Sequence, residues 1–398
     1  MGEIPSHWKL ERAKWHFTSR NERGNDTPVL LAATQKYGMY PQDMVEGVVK
    51  VAEGTDVQQF RTVHKGDFVI SLRSFQGGFE RSDYEGVCSP AYQVFYADDS
   101  WNNDYLKYLF KNELFIDAMN ALTVGIREGR NIKYEDFANS ILAIPPLAEQ
   151  VAIAAYLDRE SERIDAIIAE AKASIEEYKA WKASIIYEAV TKGLDPNVKL
   201  KDSGIEWVGE IPVHWVLSRI KNETENMDSL REPISAENRE NKLGLYDYYG
   251  ASGAIDKIDD YNVDDTVLLI GEDGANLRMR NLPLVYRASG KFWVNNHAHI
   301  LKVLYRNNYG YMAYLLEAGD YNVYITGAAQ PKLSQFNLMR FPIPMAPRSE
   351  QDAIEAYLDR RVTEIDNLID DKMALIEDLE AYKKSLIFEV VTGKRKVV

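Results

Sequence analysis

The side chains with most to offer chemically lie in four glycine-punctuated stretches. Residues 71–81 (SLRSFQGGFER) carry Arg73, Ser74, Gln76 and Arg81, and residues 124–133 (VGIREGRNIK) carry Arg127, Arg130, Asn131 and Lys133. Further along, residues 271–280 hold Asn276, Arg278 and Arg280, and residues 327–332 hold Gln330 and Lys332. These are the donors that pair with base edges in nucleic acid, each bidentate contact carrying about 1–3 kcal/mol of discrimination. Neighbouring glycines let backbone approach a phosphate. An exposed loop arginine is more often only solvated, so base contact and phosphate contact both stay open for each of them. A fifth string, Asn295-Asn296-His297-Ala298-His299, sets two imidazoles two residues apart. On a strand both rings would share one face, as a metal site needs, but no third ligand accompanies them. Buried, hydrogen-bonded histidines that shape their domain are the expected reading. The sequence contains no Gly-rich phosphate loop and no His-Glu-x-x-His. Asp195-Pro196-Asn197-Val198 has only one of the two prolines of a methylase motif and lacks its aromatic residue.

The elements that must position these loops come as an internal duplication. The heptapeptide at residues 2–8 (GEIPSHW) returns at residues 209–215 (GEIPVHW), 207 positions later. A longer match pairs residues 149–191 with residues 350–392, an offset of 201. Roughly half of its positions are identical, far beyond chance for two helices. Apolar residues at steps of three, four and seven predict long helices with a coiled-coil seam, through Ile164, Ile168, Ala171, Ile175 and Tyr178 in the first and Leu368, Leu375, Leu379, Tyr382 and Leu386 in the second. Gly193 and Gly393 act as stops. Such helices are too long for the inside of a domain, and the duplication favours their packing on each other as an antiparallel pair. Between them, residues 9–145 and 216–345 alternate short β-type runs with one helical stretch each, near Asp104 to Met119 and Tyr309 to Ala318. The shared order predicts one α/β globule used twice. Trp8 and Trp215, with His7 and His214, are expected to dock each globule onto the helices.

Composition bounds the partners. The chain has 398 residues, a single cysteine, 27% charged residues and a net charge of −14. Length suggests two or three domains, and the lone Cys88 excludes a disulfide scaffold or a cysteine-based zinc site. No apolar run is long enough to span a membrane, and residues 1–15 (MGEIPSHWKLERAKW) contain no apolar h-region, so a cytoplasmic protein is the expectation. An acidic balance argues against nucleic acid until it is located. Residues 149–192 hold nine acids and six bases, and residues 350–392 hold twelve acids and five bases. The acidity therefore sits mostly on the helices. The globules are near neutral and can each present a basic face.

The chain resembles the specificity (S) subunit of type I restriction–modification systems. The resemblance covers essentially all of it and is carried by the paired GEIPxHW strings, the two EQxAIxAYLDR helix starts, residues 290–299 (GKFWVNNHAH) and residues 326–333 (TGAAQPKL). It implies an α+β architecture of two α/β target-recognition domains separated by two long helices packed as an antiparallel coiled coil, with a pseudo-twofold relation. The expected boundaries are 1–146 for the first domain, 147–193 for the central helix, 194–346 for a linker and the second domain, and 347–398 for the last helix and tail. It implies a non-catalytic subunit that reads a bipartite sequence in double-stranded DNA. Two methylation subunits, binding S-adenosylmethionine, would methylate adenine N6, and a restriction subunit would join them to cut unmodified DNA. No cofactor or metal is expected on this chain itself. Apolar residues Ile153, Leu157 and Ile186, with their mates Ile354, Leu358 and Ile387, are expected to face the methylation subunits while also completing the seam. Four residues inserted beside Lys192 would lengthen the strut by about 6 Å and so widen the gap in the target. A competing class is an acidic coiled-coil scaffold with two protein-binding modules, which would lack salt-dependent binding to duplex DNA.

Overall fold

The repeated segments are two long helices, Leu147–Lys192 and Arg348–Val391, in the computed structural model, which describes residues 4–24, 29–35, 37–47, 57–72, 78–122 and 132–397. Each is followed by a glycine in left-handed backbone, Gly193 at φ 77° and Gly393 at φ 72°. That conformation ends a helix at little cost only where no Cβ is present. The chain divides into two compact units, and the division cuts both helices. Unit 1 is Met1–Ala171 with Met373–Val398; unit 2 is Lys172–Lys372. Each unit thus combines one mixed domain with part of each helix, so its boundaries differ from the linear ones expected at 146, 193 and 346.

Within each unit the helical parts run antiparallel. In unit 1, Asp165 of the first helix takes Lys383 of the second at 2.7 Å. In unit 2, Lys182 of the first reaches Asp366 of the second at 2.5 Å. By the 201-residue offset these are the same pair written twice, each copy supplying the opposite partner. The first helix buries the expected seam through Ile164, Ile168, Ala171 and Ile175. The second does so only in part. Of its expected seam, Leu386 is buried and Leu379 packs against the unit 1 core, but Leu368, Leu375 and Tyr382 are 41%, 39% and 49% exposed, while Ile354, Leu358, Ile365, Ile369 and Val390 are buried. Any stripe of a helix repeats at seven, so periodicity gives a seam's pitch without fixing its phase.

The domains share a sheet order. In unit 1 four antiparallel strands lie as Phe17–Arg20, Gln93–Ala97, Phe68–Ile70 and Phe79–Arg81. In unit 2 the corresponding strands are Thr224–Asn226, Ala298–Val303, Val263–Gly271 and Val285–Val294, extended by the hairpin Leu243–Gly250 and Gly253–Ile258 to six. A two-stranded ribbon joins the start and end of each domain, Lys9–Arg12 with Ile141–Ile144 and Val216–Arg219 with Pro342–Met345. The helical stretch expected at Asp104 to Met119 is two helices, Asn103–Leu109 and Glu113–Leu122. The helix Tyr309–Ala318 matches its expected bounds. Asn102 and Asn308 cap the equivalent helices, accepting from Tyr105 N and Tyr311 N at 2.8 Å, a cap that typically contributes ~1 kcal/mol.

The residues expected to face outward toward a partner are turned in. Ile153 and Leu157 belong to the core of unit 1, and Ile186, Ile354 and Leu358 to that of unit 2. Ile387 is partly buried against the unit 1 core. Each domain packs directly on its own part of the helices, and that contact consumes the apolar face. Burying each such side chain is worth about 1.5–3 kcal/mol.

Candidate nucleic-acid interface

Both domains are clasped to the helices by the same residues. Glu149 accepts from Trp8 Nε1 at 3.2 Å and lies 2.9 Å from His7 Nε2. Glu350 accepts from Trp215 Nε1 at 3.0 Å and lies 2.7 Å from His214 Nε2. The tryptophans are buried, as expected of docking residues. Beside each glutamate sits a buried glutamine. Gln150 Oε1 accepts from Asn102 N at 2.8 Å and its Nε2 donates to Pro145 O at 2.9 Å. Gln351 repeats this with Asn308 N at 2.7 Å and Ala346 O at 2.8 Å. The recurrence of Gln150 and Gln351 in the paired helix starts was the signal for them.

In unit 2 the two candidate loops meet. Gly274 N donates to Pro331 O at 3.0 Å, Leu333 N donates to Glu272 O at 2.7 Å, and the backbones at Asp273 and Lys332 pair as an isolated antiparallel β-bridge. Lys332 pairs with Glu272 at 3.0 Å. Arg231, which sequence reasoning missed, pairs with Glu272 and lies 3.4 Å from Asp228. Burial by itself would raise the Asp228 and Glu272 carboxyls. Bonds from His299 and the Ile300 amide, with Arg231 nearby, outweigh it for Asp228, and bonds from Arg231 and Lys332 do so for Glu272, leaving both below the ordinary range. Gln330 and Arg278 are exposed beside this brace. The other two candidates serve the fold. Asn276 Nδ2 donates to Leu282 O and Pro283 O at 3.1 and 3.2 Å. Arg280 adopts left-handed backbone at φ 52° and donates to the Glu317 carbonyl.

The histidine string splits into two roles. His299 is fully buried, with Nδ1 2.7 Å from Asp228 and Nε2 2.8 Å from Leu333 O, so neither ring nitrogen is left for a metal. His297 is half-exposed and pairs with Asp273 at 2.8 Å, against the expectation that it too is buried. Among the described residues no group of three or more histidine, cysteine, aspartate or glutamate side chains could hold a metal ion.

In unit 1 much of the candidate set, namely Arg73, Ser74, Gln76, Arg127, Arg130 and Asn131, lies outside the described residues. Arg81 is occupied, pairing with Asp104 and with Asp83 at 2.8 Å. Lys133 is exposed and lines a polar cleft with Asn21, Arg61 and Gln93. Cys88 is buried, which pushes its thiol up to about 12 and makes it a poor nucleophile. Unit 2 also carries a basic cleft that sequence reasoning missed, lined by Arg219, Lys221 and Arg340, with Arg340 over the exposed ring of Phe336 at 4.7 Å. Among the described residues no helix is long and apolar enough to cross a membrane.

Two segments of the chain, residues 8–177 and 215–377, match the family model for the type I restriction modification DNA specificity domain. The chain belongs to this family. A Haemophilus influenzae protein described as a type I restriction enzyme specificity subunit is 29% identical over 160 residues, 40% of this chain and 38% of that protein's length. Two solved structures share the fold. One, from work on complex assembly and conformational transition of the type I R-M system, has a TM-score of 0.74 at 13% identity, covering 99% of this chain and all of that one. The HsdS subunit from Thermoanaerobacter tengcongensis has a TM-score of 0.56 at 15% identity, covering 99% of this chain and 98% of its own.

Proposed function

We propose that this family member is a DNA-recognition subunit whose two domains read the two halves of a bipartite duplex sequence. Methylation subunits carrying S-adenosylmethionine would then modify adenine N6 within it, with a restriction subunit acting on unmodified sites, in the cytoplasm. What supports the reading is that the clasps at the helices repeat from one unit to the other while the sequences of the candidate loops differ between them. A scaffold needs no such pairing of repeated clasps with divergent loops. Gln330 and Arg278 are the candidate readers in unit 2, with Lys332 held by Glu272 and the basic cleft at Arg219, Lys221 and Arg340 supplying phosphate contacts. Trp181 and Leu368 in unit 2, and Leu375 and Tyr382 in unit 1, are exposed and replace the buried isoleucines and leucines as candidate contacts for methylation subunits.

The test is methylation mapping. The chain is expressed with a methylation subunit and N6-methyladenine is located in host DNA, with and without the paired substitution Arg278→Ala and Gln330→Ala. The expected outcome is relaxed readout in one half of the target and an unchanged other half, at about 1–3 kcal/mol per lost base contact. Unaltered methylation, or loss confined to the opposite half, defeats the assignment. Absence of salt-dependent binding to duplex DNA would favour the scaffold instead.

A further inference from the structure

His299 stands beneath both candidate loops of unit 2, and its partners leave it one protonation state. Nδ1 lies 2.7 Å from Asp228 Oδ2 and Nε2 lies 2.8 Å from Leu333 O. Both partners accept: one is a backbone carbonyl, the other a carboxylate held below its ordinary range. A neutral imidazole donates from one nitrogen only and would turn the lone pair of the other toward an acceptor. Two bonds of this length need both protons, so the ring is an imidazolium with no exposed surface. A buried charge is tolerated where it is paired and hydrogen-bonded. Asp228 supplies the counter-charge and also accepts from Ile300 N at 2.8 Å. Arg231 and Glu272 pair beside it, and Lys332 closes the cluster on Glu272.

What this cation holds is the end of a loop. Thr326 N donates to Lys332 O at 2.9 Å and Lys332 N to Thr326 O at 2.8 Å, which closes residues 327–331 into a loop with Gln330 exposed on it. The next residue, Leu333, is fully buried, its amide donating to Glu272 O at 2.7 Å and its carbonyl accepting from His299. Those two bonds fix the base of the Gln330 loop to the strand Ala298–Val303 and to the stretch that leads to Arg278. Unit 1 grips the equivalent stretch with a different residue. Ile70 pairs with Gln93 as Ile270 pairs with His299, so Gln93 and His299 occupy one position of the shared sheet. Ile132 and Leu333 are 201 positions apart, the offset of the ribbon strands Ile141–Ile144 and Pro342–Met345, and both are fully buried. Gln93 Oε1 accepts from Tyr134 N at 2.6 Å, two residues beyond Ile132. The same strand position thus anchors the same part of the chain in both units, by an acceptor in unit 1 and by a charged donor in unit 2.

We propose that His299 is the positioning residue for the Gln330 loop, a buried imidazolium whose two N–H groups tie Leu333 to Asp228. That Gln330 reads DNA rests on the function proposed above; the tie does not, and it is tested without DNA. In the full chain labelled with ¹⁵N-histidine, the His299 signals are those missing from His299→Gln. At neutral pH both ring nitrogens are expected at the shifts of N–H nitrogens, with both protons exchanging slowly with water. A neutral ring, with one nitrogen unprotonated, would overturn the proposal. Amide exchange gives a second readout. His299→Leu should speed exchange at Lys332 and Leu333 roughly tenfold or more, as for a buried carbonyl left without its donor, while amides of the strand Val263–Gly271 keep their protection. His299→Gln, which brings in the residue of the unit 1 position and keeps a donor for Leu333 O, should recover most of the loss. Loop amides unmoved in His299→Leu, or equally fast in His299→Gln, would overturn the tie. If His299→Leu does not fold, the nitrogen shifts of the unaltered chain still decide. Methylation mapped with His299→Leu should then lose discrimination in the half of the target that Gln330→Ala affects. Released loop amides with an unchanged target would uphold the tie and remove Gln330 from the readers.

Discussion

Unit 1 and unit 2 agree in how they are held to the helices and differ in the cores behind that attachment. The glutamate, histidine, tryptophan and glutamine of the clasp occupy matching positions with hydrogen bonds within a few tenths of an ångström of each other. The cores behind them are chemically different. Unit 1 packs a knot of rings, with Phe17, Phe95, Phe110 and Phe137 meeting at centroid distances of 4.9–6.0 Å. Unit 2 fills the same space largely with aliphatic side chains such as Leu315, Leu316, Leu338 and Ile343. Attachment tolerates little change because each polar atom in it has one partner, whereas a core needs only volume and apolarity. Divergence has run furthest where the physical constraint is weakest.

That comparison can be broken by substitutions made in pairs. The largest effect is expected from Leu157→Ala and Leu358→Ala, fully buried counterparts in the two units. Each should cost about 2–5 kcal/mol, and hydrogen exchange should report faster opening in the altered unit than in the other. Equal acceleration of both units would mean they do not open independently. Leu157→Glu would place a carboxylate in the unit 1 core and unfold that unit.

A smaller loss, about 1–3 kcal/mol, is expected for Gln150→Met and Gln351→Met, which leave the capping Asn102 and Asn308 amides without their acceptor. If only one of the two destabilises its unit in chemical denaturation, the clasps are alike in geometry and unlike in energy.

The smallest effect concerns pH and has opposite signs in the two units. Asp228 and Glu272 in unit 2 have folded values below their ordinary 3.8 and 4.5. Their contribution to stability is complete above those ordinary values and fades as pH falls through the folded ones. Glu80 in unit 1 is raised by burial, only partly offset by Lys111. Protonating it favours the folded state, so its own contribution improves as pH falls through its raised value. Thermal melts between pH 7 and 3 should show a shallower acid loss for Asp228→Asn and a steeper one for Glu80→Gln. Matching slopes in the two variants would remove this distinction between the units.

The duplication made the architecture readable from sequence: two long helices, two mixed domains and the tryptophan docking points all follow from it. Where phase or partner mattered, the sequence was silent. The run Leu368, Leu375 and Tyr382 has the same seven-residue step as a buried seam, and only the packing of isoleucines 354, 365 and 369 shows which stripe lies inside. Arg81 and Arg280 have the composition of DNA readers, yet Asp104 and Glu317, distant in the chain, claim them for the fold. Arg278, Gln330 and Lys133 kept the exposure expected of them. A cation's availability depends on carboxylates that local sequence does not reveal.

The way the units divide the chain also bears on the order of folding. Unit 2 is one uninterrupted stretch, Lys172–Lys372, whereas unit 1 is assembled from two pieces far apart in sequence. During synthesis unit 2 has all its parts once residue 372 clears the ribosome. Unit 1 must wait for Leu386, Val390 and Val391, which complete its core. The domain translated first is therefore the last to be finished, and its apolar surface stays open for the whole interval, the state in which a nascent chain is most exposed to chaperones and proteases.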